Sequence, residues 1–176
     1  NPVGIYGEVS LTSAVGPSFK GRPRVIYVLS DDLASANITV RGVVVGTESK
    51  NVHLTVRLSS EETIAKKGVY AFDVESSKDG TEFEVTFSVS GIELWNLWDQ
   101  GNQPLYELIL SLEAGETQHR RIAFRQVELK RDDSQTTFHF NGRRTFVRGT
   151  SYFPDVYVST MTRERYWRDL LLIKAA

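Results

Sequence analysis

The chain has 176 residues, 40% of them hydrophobic and 11% aromatic, which is enough for one globular core with part of a second attached. A formal net charge of -1, with no long run of one sign, excludes the basic footprint of a nucleic-acid binder and the charged patch of a membrane-surface protein. No apolar stretch is longer than a strand, so no bilayer-spanning helix is expected, and the absence of cysteine excludes disulfides and thiolate metal sites. Such a chain suits the cytoplasm and the bacterial periplasm equally, and composition leaves the compartment unknown. Asn1-Pro2 is neither an initiator methionine nor a signal peptide, and residues 170–176 stop inside a helical pattern without a glycine cap. Both ends are read as cuts in a longer chain.

In chain order, residues 24–29 are apolar on both faces and predict a strand in the middle of a sheet. Residues 38–45 predict another. Residues 51–58 alternate, with Val52, Leu54, Val56 and Leu58 on one face and His53, Thr55 and Arg57 on the other. Residues 68–74 form a further strand. Residues 82–89 alternate again, with Phe83, Val85, Phe87 and Val89 opposite Glu82, Glu84, Thr86 and Ser88. Tyr106, Leu108, Leu110 and Leu112 repeat the scheme, and residues 120–129 extend it. Turn signals fall between these runs at Lys78-Asp79-Gly80, Gln100-Gly101-Asn102 and Ala114-Gly115. Short alternating strands separated by turns every ~8–12 residues predict a mainly β fold, an antiparallel β-sandwich. Asn141-Gly142, between Phe138-His139-Phe140 and Arg144-Thr145-Phe146, predicts a two-residue hairpin, because both turn positions must tolerate positive φ. After Gly149 the pattern changes. Residues 151–158 read as an aromatic, proline-bearing loop. Thr162 reads as a helix N-cap, with Glu164 in the first turn and Tyr166, Leu170 and Ile173 forming an apolar stripe flanked by Trp167 and Leu171.

Candidate chemistry is sparse. His53, His119 and His139 are far apart, and two of them lie on polar strand faces, so solvated histidines are expected and no metal site. Asp31-Asp32 and Asp132-Asp133 read as turn residues and Glu61-Glu62 as a loop edge. No phosphate-cradling glycine loop, nucleophile elbow or His-Glu-x-x-His occurs, and no cofactor is implied. Trp95, Trp98 and Tyr106 could stack on sugar rings, but core filling or a seal against a neighbouring domain is the preferred reading.

Four segments, in order, carry a family resemblance. Gly4-Ile5-Tyr6-Gly7-Glu8-Val9-Ser10-Leu11 is similar to the exit from a sugar-binding domain, with tyrosine for the usual tryptophan. Trp95 to Leu108, including Pro104-Leu105-Tyr106-Glu107-Leu108, resembles a Trp…Pro-x-Leu-Tyr-x-Leu element. Ile122-Ala123-Phe124-Arg125-Gln126-Val127 resembles Gly-Phe-Arg-x-Ile, with alanine for glycine. Phe138-His139-Phe140-Asn141-Gly142 through Arg148-Gly149 resembles a Phe-x-Leu-Asn-Gly hairpin. Together these resemble the central domain of glycoside hydrolase family 2, whose members include β-galactosidases, β-glucuronidases and β-mannosidases. Gly149-Thr150-Ser151-Tyr152-Phe153-Pro154 is closest to a β-mannosidase-like Gly-x-Asn-Trp-x-Pro, but Ser151 and Tyr152 replace the asparagine and tryptophan, which leaves specificity open.

The resemblance implies that residues 1–12 leave a jelly-roll domain, that 13–131 form an immunoglobulin-like sandwich, and that 132–176, with the C-terminal helix, begin a catalytic (β/α)8 barrel. It implies a parent enzyme that cleaves β-linked oligosaccharides with retention, using two glutamates expected beyond Ala176, so that no catalytic residue lies in this chain. Ser151, Tyr152 and Asp155 would line the rim of the sugar site in the full enzyme. The expected partners are the jelly-roll and barrel domains, with neither nucleic acid nor membrane. Residues after about Phe146 are expected to be disordered, folded back, or shared in a dimer. The competing reading is an independent carbohydrate-binding or adhesive module.

Overall fold

The computed structural model describes residues 16–60, 66–155 and 160–175, with backbone alone at 66–67. The strands are β1 (Ser18–Phe19), β2 (Arg24–Leu29), β3 (Ser35–Val45), β4 (Lys50–Ser60), β5 (Lys66–Ser76), β6 (Thr81–Ser90), β7 (Tyr106–Leu112), β8 (Thr117–Ile122), β9 (Val127–Arg131), β10 (Thr136–Phe140) and β11 (Arg143–Thr145), followed by helix α1 (Arg163–Ala175). By its internal contacts the chain divides into two compact units, Asn1–Arg144 and Thr145–Ala176. The sandwich belongs to the first and α1 to the second.

Two antiparallel sheets build the sandwich. In one, β3 is central; β6 lies along one side and β1 and β2 follow each other along the other. The second has the order β5-β4-β7-β8. This is the distribution of strands in an immunoglobulin-type sandwich. Period-two alternation turns Val52, Leu54, Val56 and Leu58 of β4 and Tyr106, Leu108, Leu110 and Leu112 of β7 into one core with Ile38, Val40 and Val44 of β3 and Phe83, Val85, Phe87 and Val89 of β6. Burying each such side chain stabilises the fold by about 1.5–3 kcal/mol before chain entropy opposes it. At the start of β7 the fully buried Tyr106 reaches back to the preceding connection, where its phenol oxygen accepts the Glu93 N–H at 2.7 Å. A tyrosine at this corner is a recurrent feature of immunoglobulin-type sandwiches.

Tyrosines also close both rims. Tyr27 on β2 donates to Arg125 O and accepts from Arg125 N, both at 3.0 Å. On the opposite rim Tyr70 of β5 donates to Ser88 O of β6 at 2.8 Å and stacks on Phe87 with ring centroids 4.2 Å apart. The β7–β8 turn is held as well. Glu116 N donates to Pro17 O, Phe19 N donates to the Glu116 carboxylate, and a Cβ on Gly115 would stand 2.2 Å from Pro17 O.

Two expectations are corrected. Residues 24–29 do not lie in the middle of a sheet: among the described residues β2 pairs only with β3, and Val28 is 68% exposed. Its apolar content serves an edge whose inner side chains pack on the core while Tyr27 ties the rim. Residues 120–129 are two strands, not one. The chain breaks between β8 and β9, where Phe124 is drawn fully into the core and forms a parallel bridge with Leu94.

β9, β10 and β11 form a separate small sheet in the order β11-β10-β9. Asn141 and Gly142 have φ of 49° and 76°, as the two-residue hairpin requires. The register pairs Leu129 with Phe138 and Val127 with Phe140, so these four side chains share a face on which Val127, Leu129 and Phe138 are exposed. In the second unit Thr162 caps α1: its Oγ1 accepts from Arg165 N at 3.3 Å, and its carbonyl accepts from Tyr166 N at 3.1 Å. No residue of α1 is buried, and Trp167, Leu170 and Ile173 of the expected stripe are exposed. Among the described residues no helix is long and apolar enough to cross a membrane.

Candidate functional site

Two groups merit description, one in each unit. In the second unit, residues 151–155 precede α1 and are tied to it. Tyr152 donates its phenol to Asp169 Oδ2 at 2.8 Å, and its ring meets Tyr166 edge-on at 6.5 Å. Partial desolvation, followed by the bond to Asp169 and its charge, raises the Tyr152 phenol above its ordinary value, while the Tyr152 hydrogen bond lowers the Asp169 carboxyl. Asp155 Oδ2 meets Arg165 Nη1 at 2.8 Å and Thr160 Oγ1 at 3.3 Å, and Arg165 Nη2 donates to Pro154 O at 3.4 Å. Ser151 is exposed. Tyr152 and Asp155 are thus brought onto one helix face as hydrogen-bonding groups. Asp155 pairs with Arg165 and Asp169 with Arg168, so hydrogen-bond donors and acceptors stand side by side.

In the first unit, the connection between β6 and β7 carries the tryptophans, and the structure separates the trio. Tyr106 is core. Trp95 is half-buried beneath the Arg125 guanidinium, 5.2 Å from its ring centroid, with Phe140 at 6.0 Å. Trp98 is 68% exposed. The loop's amides are largely engaged internally: Asn96 Nδ2 donates to Leu94 O and Asn102 O, and Gln103 Nε2 donates to Asn96 O.

His53 Nδ1 lies 2.7 Å from Asp73, and His119 Nδ1 lies 2.9 Å from Glu107; both pairs are exposed on the outer face of the second sheet. His139 contacts Thr137 Oγ1 through Nε2, and its enclosed Nδ1 has no hydrogen-bond partner among the described residues. Among the described residues no group of three or more His, Asp or Glu side chains is placed to hold a metal ion. Asp32 accepts from Ser30 Oγ and Ala34 N, and Asp132 accepts from Ser134 N, Ser134 Oγ and Gln135 N, so both act as turn residues. Glu61-Glu62 and the segment 4–11 lie outside the described residues. Sequence reasoning missed Arg125 and Asn141 as contact residues. The Asn-Gly pair marks Asn141 only as a turn, and no local signal places Arg125 over Trp95.

The sequence profile of the family described as Glycosyl hydrolases family 2 matches residues 21–125, more than half of the chain. The chain belongs to glycosyl hydrolase family 2. Solved structures of similar fold come from the same family. A β-D-mannosidase from Dictyoglomus thermophilum is 22% identical, with a TM-score of 0.71, and the match covers 91% of this chain and 20% of that one. A β-glucuronidase from Parabacteroides merdae is 20% identical, with a TM-score of 0.67 and coverage of 90% and 20%. A glycosyl hydrolase family 2 member from Bacteroides cellulosilyticus is 19% identical, with a TM-score of 0.71 and coverage of 89% and 22%. The family 2 chain described here therefore spans about a fifth of the length of these relatives, and at such identities the likeness shows the fold. No curated protein matches it in sequence.

Proposed function

We propose that this chain is the non-catalytic, immunoglobulin-like connector of a retaining β-glycosidase, followed by the start of that enzyme's (β/α)8 barrel. The carrying observation is coverage: the family 2 profile lies on the sandwich, and structures matching nine-tenths of this chain are about five times longer. On this reading residues 1–12 leave a jelly-roll domain, 13–131 are the connector and 132–176 open the barrel, with the catalytic glutamates elsewhere in the parent protein. Ser151, Tyr152 and Asp155 contribute to the rim of its sugar site, and β-galactoside or β-mannoside is the substrate class. The exposed apolar face of Val127, Leu129 and Phe138 suits a domain with neighbours. The exposed Trp167, Leu170 and Ile173 support a dimer through the second unit, which sedimentation over a range of concentrations tests.

Assay of the purified chain on aryl β-galactosides, β-mannosides and β-glucuronides is expected to give no turnover above background. Turnover at an enzyme-like rate, with contamination excluded, sinks the proposal. Exposure of Trp98 favours one second reading, a carbohydrate-binding module. Titration with manno- and galacto-oligosaccharides under tryptophan fluorescence separates the two. Saturable micromolar binding that Trp98→Ala abolishes supports the module, and silence supports the connector.

A further inference from the structure

An asparagine in the first position of a two-residue hairpin turn is accounted for by its tolerance of positive φ and, at most, a bond to its own local backbone. Asn141 is different. Its Oδ1 accepts from Gln126 N at 2.9 Å, and its Nδ2 donates to Trp95 O at 3.0 Å and Asn96 Oδ1 at 3.1 Å. Its own N–H donates to Gln126 O at 2.9 Å. The β9–β10 ladder ends at Val127 and Phe140; the Asn141 backbone N–H makes one bond of the next step and its side chain supplies the return bond. Trp95 N donates in turn to Phe124 O at 2.8 Å. Three segments remote in sequence, 94–96, 124–126 and 140–141, thereby meet at one half-buried amide, with the Trp95 ring covered by Arg125 and flanked by Phe140.

We propose that Asn141 is a positioning residue: its carboxamide, acting through Gln126 and Trp95, fixes the β10–β11 hairpin to the sandwich. The functional consequence rests on the connector reading, in which this hairpin is the first element of the segment 132–176 assigned to the barrel, so slack at the node is slack between domains. The node itself is a property of the 176-residue chain and is testable there whatever that chain's role.

The test uses the whole chain carrying Trp98→Phe and Trp167→Phe, which leaves Trp95 as its sole tryptophan. Asn141→Gly keeps the positive φ and removes the carboxamide. Exchange of the Gln126 amide hydrogen is expected to accelerate by about tenfold, the loss of one part-buried hydrogen bond. Trp95 emission is expected to shift to the red and quench more readily with acrylamide, while amides in the middle of β4 and β7 exchange as before. Asn141→Asp keeps an acceptor for Gln126 and loses the donor. Gln126 exchange should then stay within about twofold of the parent, set by the surviving bond, while Trp95 responds as in the glycine variant. The assignment is overturned if Asn141→Gly leaves Gln126 exchange and Trp95 emission unchanged. It is also overturned if both variants affect Gln126 alike, or if the loss spreads evenly to the core amides. Failure of the connector reading shows instead as glycosidase turnover or sugar binding by the unmutated chain, and leaves the node intact.

Discussion

In the sandwich, β4 and β7 pair Leu54 with Leu112, Val56 with Leu110 and Leu58 with Leu108, and all six side chains are buried. In residues 160–175 no helical side chain is buried; what holds the helix is a threonine cap, a phenol on Asp169 and guanidinium–carboxylate pairs. The first arrangement draws on apolar area removed from water, which adds up across a shared core and makes the region unfold as one. The second is a set of exposed contacts worth tenths of a kcal/mol each, screened by salt and lost one at a time. A region of the second kind tolerates change in its parts, whereas one of the first kind does not.

The contrast is sharpest for leucine. Leu110→Ala is expected to cost about 2–5 kcal/mol, a large share of a domain's stability, whereas Leu171→Ala on the exposed helix should stay within about 0.5 kcal/mol. Urea denaturation of both variants checks this, and equal costs would erase the distinction between the units. Next in size is Tyr106→Phe, which preserves the ring and strips the Glu93 N–H of its acceptor. A loss of about 1–2 kcal/mol in the same measurement is expected, and an unchanged midpoint would show that the corner is held by ring packing alone. Thr162→Ala should cost the helix about 1 kcal/mol. Helical ellipticity should fall without a shift in the sandwich midpoint, and a coupled shift would join the two units energetically.

The smallest effect concerns acid. Hydrogen bonds from Ser134 Oγ, Ser134 N and Gln135 N hold the Asp132 carboxyl at about 2, against an ordinary 3.8. Because the folded value is depressed, the stabilisation of the β9–β10 turn is fully present above the ordinary value and is lost as pH falls through about 2. Amide exchange at Ser134 and Gln135 should therefore lose protection over that window, and Asp132→Asn should remove the dependence. Protection that is flat with pH in the parent chain would contradict the assignment.

Much of the sandwich was legible because its information is local. Alternation at 51–58, 82–89 and 106–112 states which side chains turn inward without reference to any partner strand. The place of a strand in its sheet is not local, and residues 24–29, apolar enough for a centre, sit at an edge. The break after β8 was hidden for the same reason: Phe124 leaves the ladder for a core cavity that strands far away in sequence create. The loop at 151–155 could be read from its composition, but it could be singled out as a candidate site only through its family resemblance. The helix residues that hold it, Arg165 and Asp169, carry no pattern that pairs them with Asp155 and Tyr152. At Asn141 the turn was readable from the dipeptide, and the grip of its side chain on Gln126 and Trp95 was not.

The tyrosine at each rim has a mechanical consequence. Sheets packed only by greasy faces can creep past one another, since sliding exchanges one apolar neighbour for another at little cost. With Tyr27 pinned to Arg125 and Tyr70 to Ser88, creep must first break a polar bond at each border. Under tension applied through residues 16 and 144, such a body should hold its length and then rip in a single event, and an optical trap would register the force of that rupture falling when either phenol is replaced by phenylalanine.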